Sequence, residues 1–327
     1  MSTRRIGRRE SVQAMLGGGA ALAWGKAHAS TYPSEPIKVV VPFAAGGTTD
    51  LMGRFYAEQL KKSFNLSVLV ENRGGAGGLT GAEMVSKAPP DGYTLLVTGC
   101  PPLTTSKALF PRNNFDPAKQ LAPIGTFSVS HYILVVHASL PIKSVAELVS
   151  YAKAKPGSLT YASPGIGTAG HLIGAMFSRA ADIEMVHVPY QGSGQSRADL
   201  LAGNVSLMFE NVAVISQVGN QVRPLATTRP TRLEWAPDVP TMAEVGFPQI
   251  KLETIVGAFG PVGLPANIVE VLNAEAVKLT KDKDFRAKLK ATGTEAFSML
   301  PAELGKLVAE TQERWGEIIK GAGIRID

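Results

Sequence analysis

The stretch Ile37-Lys38-Val39-Val40-Val41-Pro42-Phe43-Ala44-Ala45-Gly46-Gly47-Thr48-Thr49-Asp50 decides how this chain is read. Ile37 to Val41 is a short β-branched run, the composition of a strand buried on both faces of a parallel sheet. A turn rich in Gly and Ala follows, and from Asp50 to Phe64 the pattern is that of an amphipathic helix. The unit is strand, glycine turn, helix. It recurs at once: Ser67 to Glu71 reads as a strand, Gly74 to Gly78 as a glycine loop, Leu79 to Lys87 as a helix and Thr94 to Thr98 as a further strand. Such alternation predicts a doubly wound α/β sheet.

A second region follows the same logic. His131 to His137 reads as a strand, Ser144 to Ala154 as a helix opened by a Ser N-cap, and Thr160 to Ser163 as a strand. Pro164 to Gly170 is another glycine turn leading into a helix, and Glu184 to Pro189 the next strand. Gln191 to Gly194 then opens a helix over Gln195 to Ala202, and Val205 to Phe209 is one more strand. Pro265 to Thr280 and Pro301 to Lys320 carry apolar residues at helical spacing, a tail able to return and cover the first region.

At 327 residues, 45% apolar and 18% charged, the chain is long enough for two packed domains. Its formal charge of +6 raises the question of an anionic polymer as partner, but the charge is local. Residues 1–29 hold Arg4, Arg5, Arg8, Arg9 and Lys26 against Glu10, and taking these from totals of 33 and 27 leaves 28 basic and 26 acidic residues. Nucleic acid is therefore not the expected partner. The same 29 residues read as an export signal, with a basic start, a weakly apolar Ala14 to Gly25 and a small-x-small site at Ala27-His28-Ala29. Arg8-Arg9 partly resembles a twin-arginine signal. Cys100 is the sole cysteine, and the histidines show no metal-ligand spacing, so no metal and no cofactor are expected.

Open α/β sheets bind ligands beyond the carboxyl ends of their strands, where helix starts present unpaired N–H groups and a partial positive charge. Phe43, Ala44, Ala45, Gly46, Gly47 and Thr48 form one such turn; Ser163, Gly165, Gly167 and Thr168 form a second; Gln191 lies in a third, Tyr190 to Ser193. Loops of this kind hold an anion without a formal counter-charge, although glycines also serve tight turns in any α/β protein. Asp50 either caps its helix or touches the ligand. His171 either points at the pocket or packs neutral beneath its loop. Glu210, read as lying just past its strand, either accepts from a ligand donor or caps the next segment. Gly165-Ile166-Gly167-Thr168-Ala169-Gly170 matches GxGxxG, but the strand over Met185 to Pro189 has no ribose-binding acid at its end. No GxxxxGK[ST] occurs, and GxSxG is not matched around Ser193.

With these loops in hand the chain resembles the substrate-binding proteins of tripartite tricarboxylate transporters, the Bug or TctC-like receptors. The resemblance covers nearly all of the chain beyond its leader. It rests on YPSEPIKVVVPFAAGGTTDLMGR (32–54), VENRGGAGGLTGAEMVSKAPPDGYTLL (70–96), FDPAKQLAPIG (115–125), YASPGIGTAGHL (161–172), VPYQGSGQSRADLLAGNVSLMF (188–209) and DVPTMAEVGFP (238–248). It implies a Venus flytrap of two α/β domains joined by two crossing strands, residues 30–131 with 256–327 forming one and 132–255 the other. It further implies a periplasmic, monomeric receptor that catalyses nothing, closes on a small organic carboxylate and serves a membrane permease of the same system. Three segments depart from the resemblance: Gly99 to Phe110, Glu210 where many relatives carry Asp, and Thr254 to Phe259. Two other functions compete, a periplasmic sensing module for a signalling partner and an exported hydrolase using Ser163 or Ser193 with His171.

Overall fold

The structure is a computed structural model and describes residues 32–212, 219–233, 236–291 and 294–322. The expected leader, residues 1–29, lies outside the described residues. In chain order the elements are β1 (Ile37–Val41), α1 (Thr48–Phe64), β2 (Val68–Asn72), α2 (Leu79–Ser86), β3 (Thr94–Gly99), α3 (Cys100–Leu109), α4 (Pro117–Gln120) and β4 (Leu121–His137). Then come α5 (Val145–Ala154), β5 (Leu159–Ser163), α6 (Ala169–Ala181), β6 (Met185–Pro189), α7 (Ser193–Leu201), β7 (Leu207–Asn211) and β8 (Val222–Thr227). The chain closes with β9 (Glu253–Pro261), α8 (Ala266–Lys281), α9 (Lys283–Ala291), β10 (Glu295–Ala296) and α10 (Pro301–Ala322).

Strand β1 sits between β2 and β3, parallel to both. Its valines are wholly buried, and their alternation sends them to opposite sides. Val39 and Val41 meet α1 at Gly53, where any Cβ would collide with Val41. Val40 joins Leu96 and Phe259 in a second cluster with Leu79 and Val85 of α2, Leu103 of α3 and Leu304 and Val308 of α10. Helices on both faces are what a doubly wound sheet requires. The second lobe repeats the scheme around β5, which lies parallel to β6 and β7. Leu134, Val136, Tyr161, Leu207 and Phe209 face α5 and α6, while Ile133, Val135, Ala162 and Met208 face the side that holds Leu200 of α7.

Two strands serve both lobes. The ladder runs β2-β1-β3-β9-β4-β7-β5-β6. From Leu121 to His131, β4 pairs antiparallel with β9, with two register shifts; from Tyr132 to Val136 it pairs with β7, and β8 lies along the same half. Bulges sharpen the local twist, which turns the long strand from one lobe into the other. The C-terminal helices return to the first lobe, where Tyr56 of α1 donates to the Leu272 carbonyl at 2.9 Å. Trp315 and Ile319, near the end of α10, also pack on Leu172 of α6 in the second lobe.

Four local readings are corrected. The strand expected at His131 begins ten residues earlier, at Leu121, because Pro123, Gly125 and Ser128 interrupt the apolar pattern without ending the ladder. Glu210 lies inside β7, not beyond it, paired with Ile133. Helix α7 starts at Ser193 rather than Gln195, because Gly192, at φ 143°, makes the turn immediately before it. Gly99 to Phe110, read without an element, contains α3, opened by Pro101 and Pro102 in its first turn, where a missing N–H is tolerated. Ser144 does cap α5, accepting from the Glu147 N–H at 3.1 Å.

The second-lobe core is centred on Phe177, whose ring meets Phe209 at 5.7 Å and Phe247 at 5.0 Å, both edge-on. Phe177→Ala is expected to destabilise the protein by about 3–5 kcal/mol, read as a lowered midpoint in chemical denaturation. A loss under about 1 kcal/mol would mean that the cavity collapses, against the packing described.

Candidate functional site

Four helix starts and two crossing strands surround one small cavity of about 60 Å³ between the lobes, room for several water molecules. Phe43, Gly47, Thr48 and Thr49 line it from the turn into α1; Pro164, Thr168 and Ala169 from the turn into α6; Ser193 from the start of α7; and Gly99, Pro101 and Pro102 from α3. Ser130 and Tyr132 of β4, Thr254 and Val256 of β9, and Glu210 and Asn211 of β7 complete the lining. No Lys or Arg is among these residues.

The first turn is fixed from behind by Asp50. Its Oδ2 accepts from the Gly46 N–H at 3.0 Å and from Arg54 Nε at 2.9 Å, while Oδ1 accepts from Asn72 Nδ2, also at 2.9 Å. Asn72 Nδ2 donates as well to the Phe43 carbonyl, so one amide ties both ends of the loop. Burial pushes the Asp50 carboxyl up, but the bonds from Arg54, Gly46 and Asn72 outweigh it and hold it below the usual carboxylate range. The carboxylate is thus occupied by the loop, and the N–H groups of the α1 start remain for a guest.

The second turn is fixed by hydroxyls and imidazoles. Thr168 Oγ1 and Ser163 Oγ both donate to the Gly165 carbonyl, at 2.6 and 3.1 Å. Ser163 Oγ lies 2.7 Å from His187 Nε2, and the Gly167 N–H donates to His171 Nδ1 at 3.2 Å. The two imidazoles stack at 4.3 Å, with Tyr161 on the outer face of His187 at 4.7 Å. Burial lowers His171 to about 4; burial and then the neighbouring His171 lower His187 to about 3. Both rings are neutral props beneath the loop at neutral pH.

The lobes touch directly. Ala44 N–H donates to the Gln191 carbonyl at 3.0 Å, and Thr105 Oγ1 donates to the Gly167 carbonyl at 3.1 Å. Gly77, at φ 64°, passes so close to the second lobe that a Cβ there would land on the Ile166 carbonyl oxygen.

The residues singled out in the sequence therefore fall into three groups. Phe43, Gly47, Thr48, Thr168 and Glu210 line the cavity. Ala44, Gly165, Gly167 and Gln191 lie along the seam between the lobes, with Ala45 beside Gly194. Gly46, Asp50, Ser163 and His171 hold the loops from behind. Sequence reasoning did not select Ser130, Tyr132 and Asn211, and flagged Thr254 and Val256 only within a segment that departs from the family resemblance, because their place on the cavity comes from strands that cross between lobes rather than from any motif. Among the described residues no group of three or more His, Cys, Asp or Glu is placed to hold a metal, and no helix is long and apolar enough to cross a membrane.

Two α/β lobes on shared strands, closed over a small cavity rimmed by helix starts, define a solute-binding protein. The chain belongs to the tripartite tricarboxylate transporter receptor family, TctC, whose model matches residues 52–324. A Pseudomonas sp. (strain P51) protein from the tcbD-tcbE intergenic region is 35% identical over 291 residues, covering 88% of this chain and 86% of that one. The structure of the periplasmic binding protein BugD matches with a TM-score of 0.85 at 31% identity, over 90% of this chain and 100% of that one. The R. palustris protein Rpa4515, solved with adipate, matches with a TM-score of 0.85 at 32% identity over the same shares. Such proteins bind substrates and are not enzymes, and the chain shares their two-domain periplasmic fold.

Two outcomes follow from this geometry. Unfolded histidines take up protons near 6.5, so between about pH 6.5 and 4 the unfolded chain binds more protons than the folded one and stability falls as the pH is lowered. The drop in melting temperature from pH 7 to 5 is expected to shrink in a His171→Gln/His187→Asn double variant; an unchanged drop would place the acid sensitivity elsewhere. Gly77→Ala should prevent the lobes from meeting, because the methyl group would occupy the Ile166 carbonyl position. Small-angle scattering is expected to show a larger radius of gyration for it than for the parent, and equal radii would refute the contact.

Proposed function

We propose that this protein is an exported, monomeric periplasmic receptor that captures a small organic carboxylate between its lobes and delivers it to a membrane permease of the tripartite tricarboxylate type. One observation carries the reading: helix starts from both lobes converge on one cavity that contains no basic side chain. Main-chain N–H groups and helix dipoles suit a carboxylate there, supplying the charge complement without a lysine or arginine. A relative that holds adipate supports the ligand class. Membership of a transporter receptor family supports the permease partner.

In this reading Phe43, Ala44, Ala45, Gly46, Gly47, Thr48, Asp50, Ser163, Gly165, Gly167, Thr168, His171, Gln191 and Glu210 form the binding region, some facing the guest and some holding its loops. Residues 30–131 with 256–327 make one domain and 132–255 the other, and residues 1–29 are removed near Ala29. The hinge is then the pair β4 and β9, where β4 exchanges partners between His131 and Tyr132.

A thermal-shift panel of dicarboxylates, tricarboxylates, aromatic acids and amino acids tests the ligand class. A ligand at a hundred times its Kd is expected to stabilise by about 2.7 kcal/mol. Mass spectrometry of material released from gently denatured protein is expected to show a carboxylate. No shift across the panel together with no released acid would overturn the proposal.

A further inference from the structure

Of the four helices that begin on the cavity, three keep their N–H groups. The α1 start supplies Gly47, Thr48 and Thr49, α6 begins at Ala169 and α7 at Ser193. Helix α3 is different. Its N-cap is Gly99 and its first turn is Cys100-Pro101-Pro102, so two of the four N–H groups that a helix start normally offers do not exist. Both prolines line the cavity, as does Val256. They present ring carbons where a helix start would otherwise hold an anion.

The cavity also contains an acid. Glu210 is only 2% exposed; its Oε1 accepts from the Asn211 N–H at 2.8 Å, and its Oε2 is buried with no hydrogen-bond partner among the described residues. The charged and titratable groups bearing on it are Arg197 of α7 and the Tyr132 phenol of β4. Burial pushes its carboxyl up, against the pull of Arg197 and of the Asn211 N–H. The polar groups that share the cavity with it are neutral: Ser130, Asn211, and Tyr132 and Thr254, whose hydroxyls lie 2.7 Å apart. A second ligand carboxylate brought here would meet proline carbons and a buried acid, and two carboxyls share one buried site only if one of them takes up a proton, which costs affinity for a dianion. A ligand hydroxyl instead gives Oε2 the partner it lacks, and an unmade buried hydrogen bond is costly.

We infer that the cleft selects a monocarboxylate bearing an apolar body and an uncharged hydroxyl, and discriminates against dicarboxylates through Pro101, Pro102 and Glu210. This rests on the carboxylate reading above and narrows it. The adipate-holding relative shows that a dicarboxylate fits the fold, so the discrimination belongs to these side chains rather than to the architecture.

Calorimetric titration at pH 7.5 with matched pairs tests the inference: 4-hydroxybutyrate against succinate, 6-hydroxyhexanoate against adipate, and 4-hydroxybenzoate against terephthalate. At least one hydroxy acid is expected to bind about tenfold tighter than its diacid, with no diacid ahead in any pair. Glu210→Gln, which removes the acid and keeps its size, and Pro102→Ala, which restores an N–H, are each expected to narrow that preference by about fivefold or more. A diacid that equals or beats its partner overturns the inference and leaves the carboxylate reading standing, as does a preference unchanged in both folded variants. Silence from all six compounds overturns the inference alone if the purified protein still releases a carboxylate, and overturns both readings if it releases none.

Discussion

Both lobes depend on the antiparallel pairing of β4 with β9. From Leu121 opposite Pro261 to His131 opposite Glu253 the two strands are hydrogen-bonded along the first lobe, and β4 then continues as a ladder strand of the second. A sheet that passes from one lobe into the other through two continuous strands lets the lobes rotate by small adjustments in φ and ψ while every buried backbone group stays paired. The same strands carry Ser130, Tyr132, Thr254 and Val256 into the cavity. The strands that join the lobes are therefore also a wall of the cavity.

Charge is handled by distributing it. Each carboxylate near the cleft whose bonds are complete serves the protein: Asp50 accepts from Gly46, Arg54 and Asn72 and locks the first loop. The imidazoles under the second loop are kept neutral by burial and accept or bridge rather than carry charge. What faces the cavity is then a set of N–H dipoles plus one acid with an open oxygen. Preformed dipoles need little rearrangement when an anion arrives, so less of the binding energy is lost to ordering the site.

The sequence revealed most of the scaffold because its signals are local. Val39 to Val41, the Ser144 cap and the three glycine turns each announce an element within a few residues. Asp50 was legible as a helix-start acid, but its bond to Asn72 joins the first turn of α1 to the end of β2 and leaves no local trace. Pro123, Gly125 and Ser128 hid the first half of β4, because a strand between β9 and a bulge tolerates residues that weaken an isolated one. Gly77 was read as one glycine of a loop; its need for a missing Cβ comes from Ile166, 89 positions away in the other lobe. Glu210 was placed one strand-end too far out, and it shares the cavity with Tyr132 and Thr254 from strands distant in sequence.

The contacts that close the lobes are few and of mixed character. Among the described residues the hydrogen bonds from Ala44 to Gln191 and from Thr105 to Gly167 and the Arg229–Glu295 ion pair join the lobes, beside the packing of Trp315 and Ile319 on Leu172. Each such bond contributes about 1 kcal/mol net, because water replaces it when the lobes part. A guest shifts a balance between open and closed arrangements only by the difference in its affinity for the two. The α1 start lies in one lobe and the α6 and α7 starts in the other, so the full set of N–H groups is assembled only when the seam is made. A ligand that used one lobe alone would bind and leave the lobes as free as before; one that spans both would hold them together.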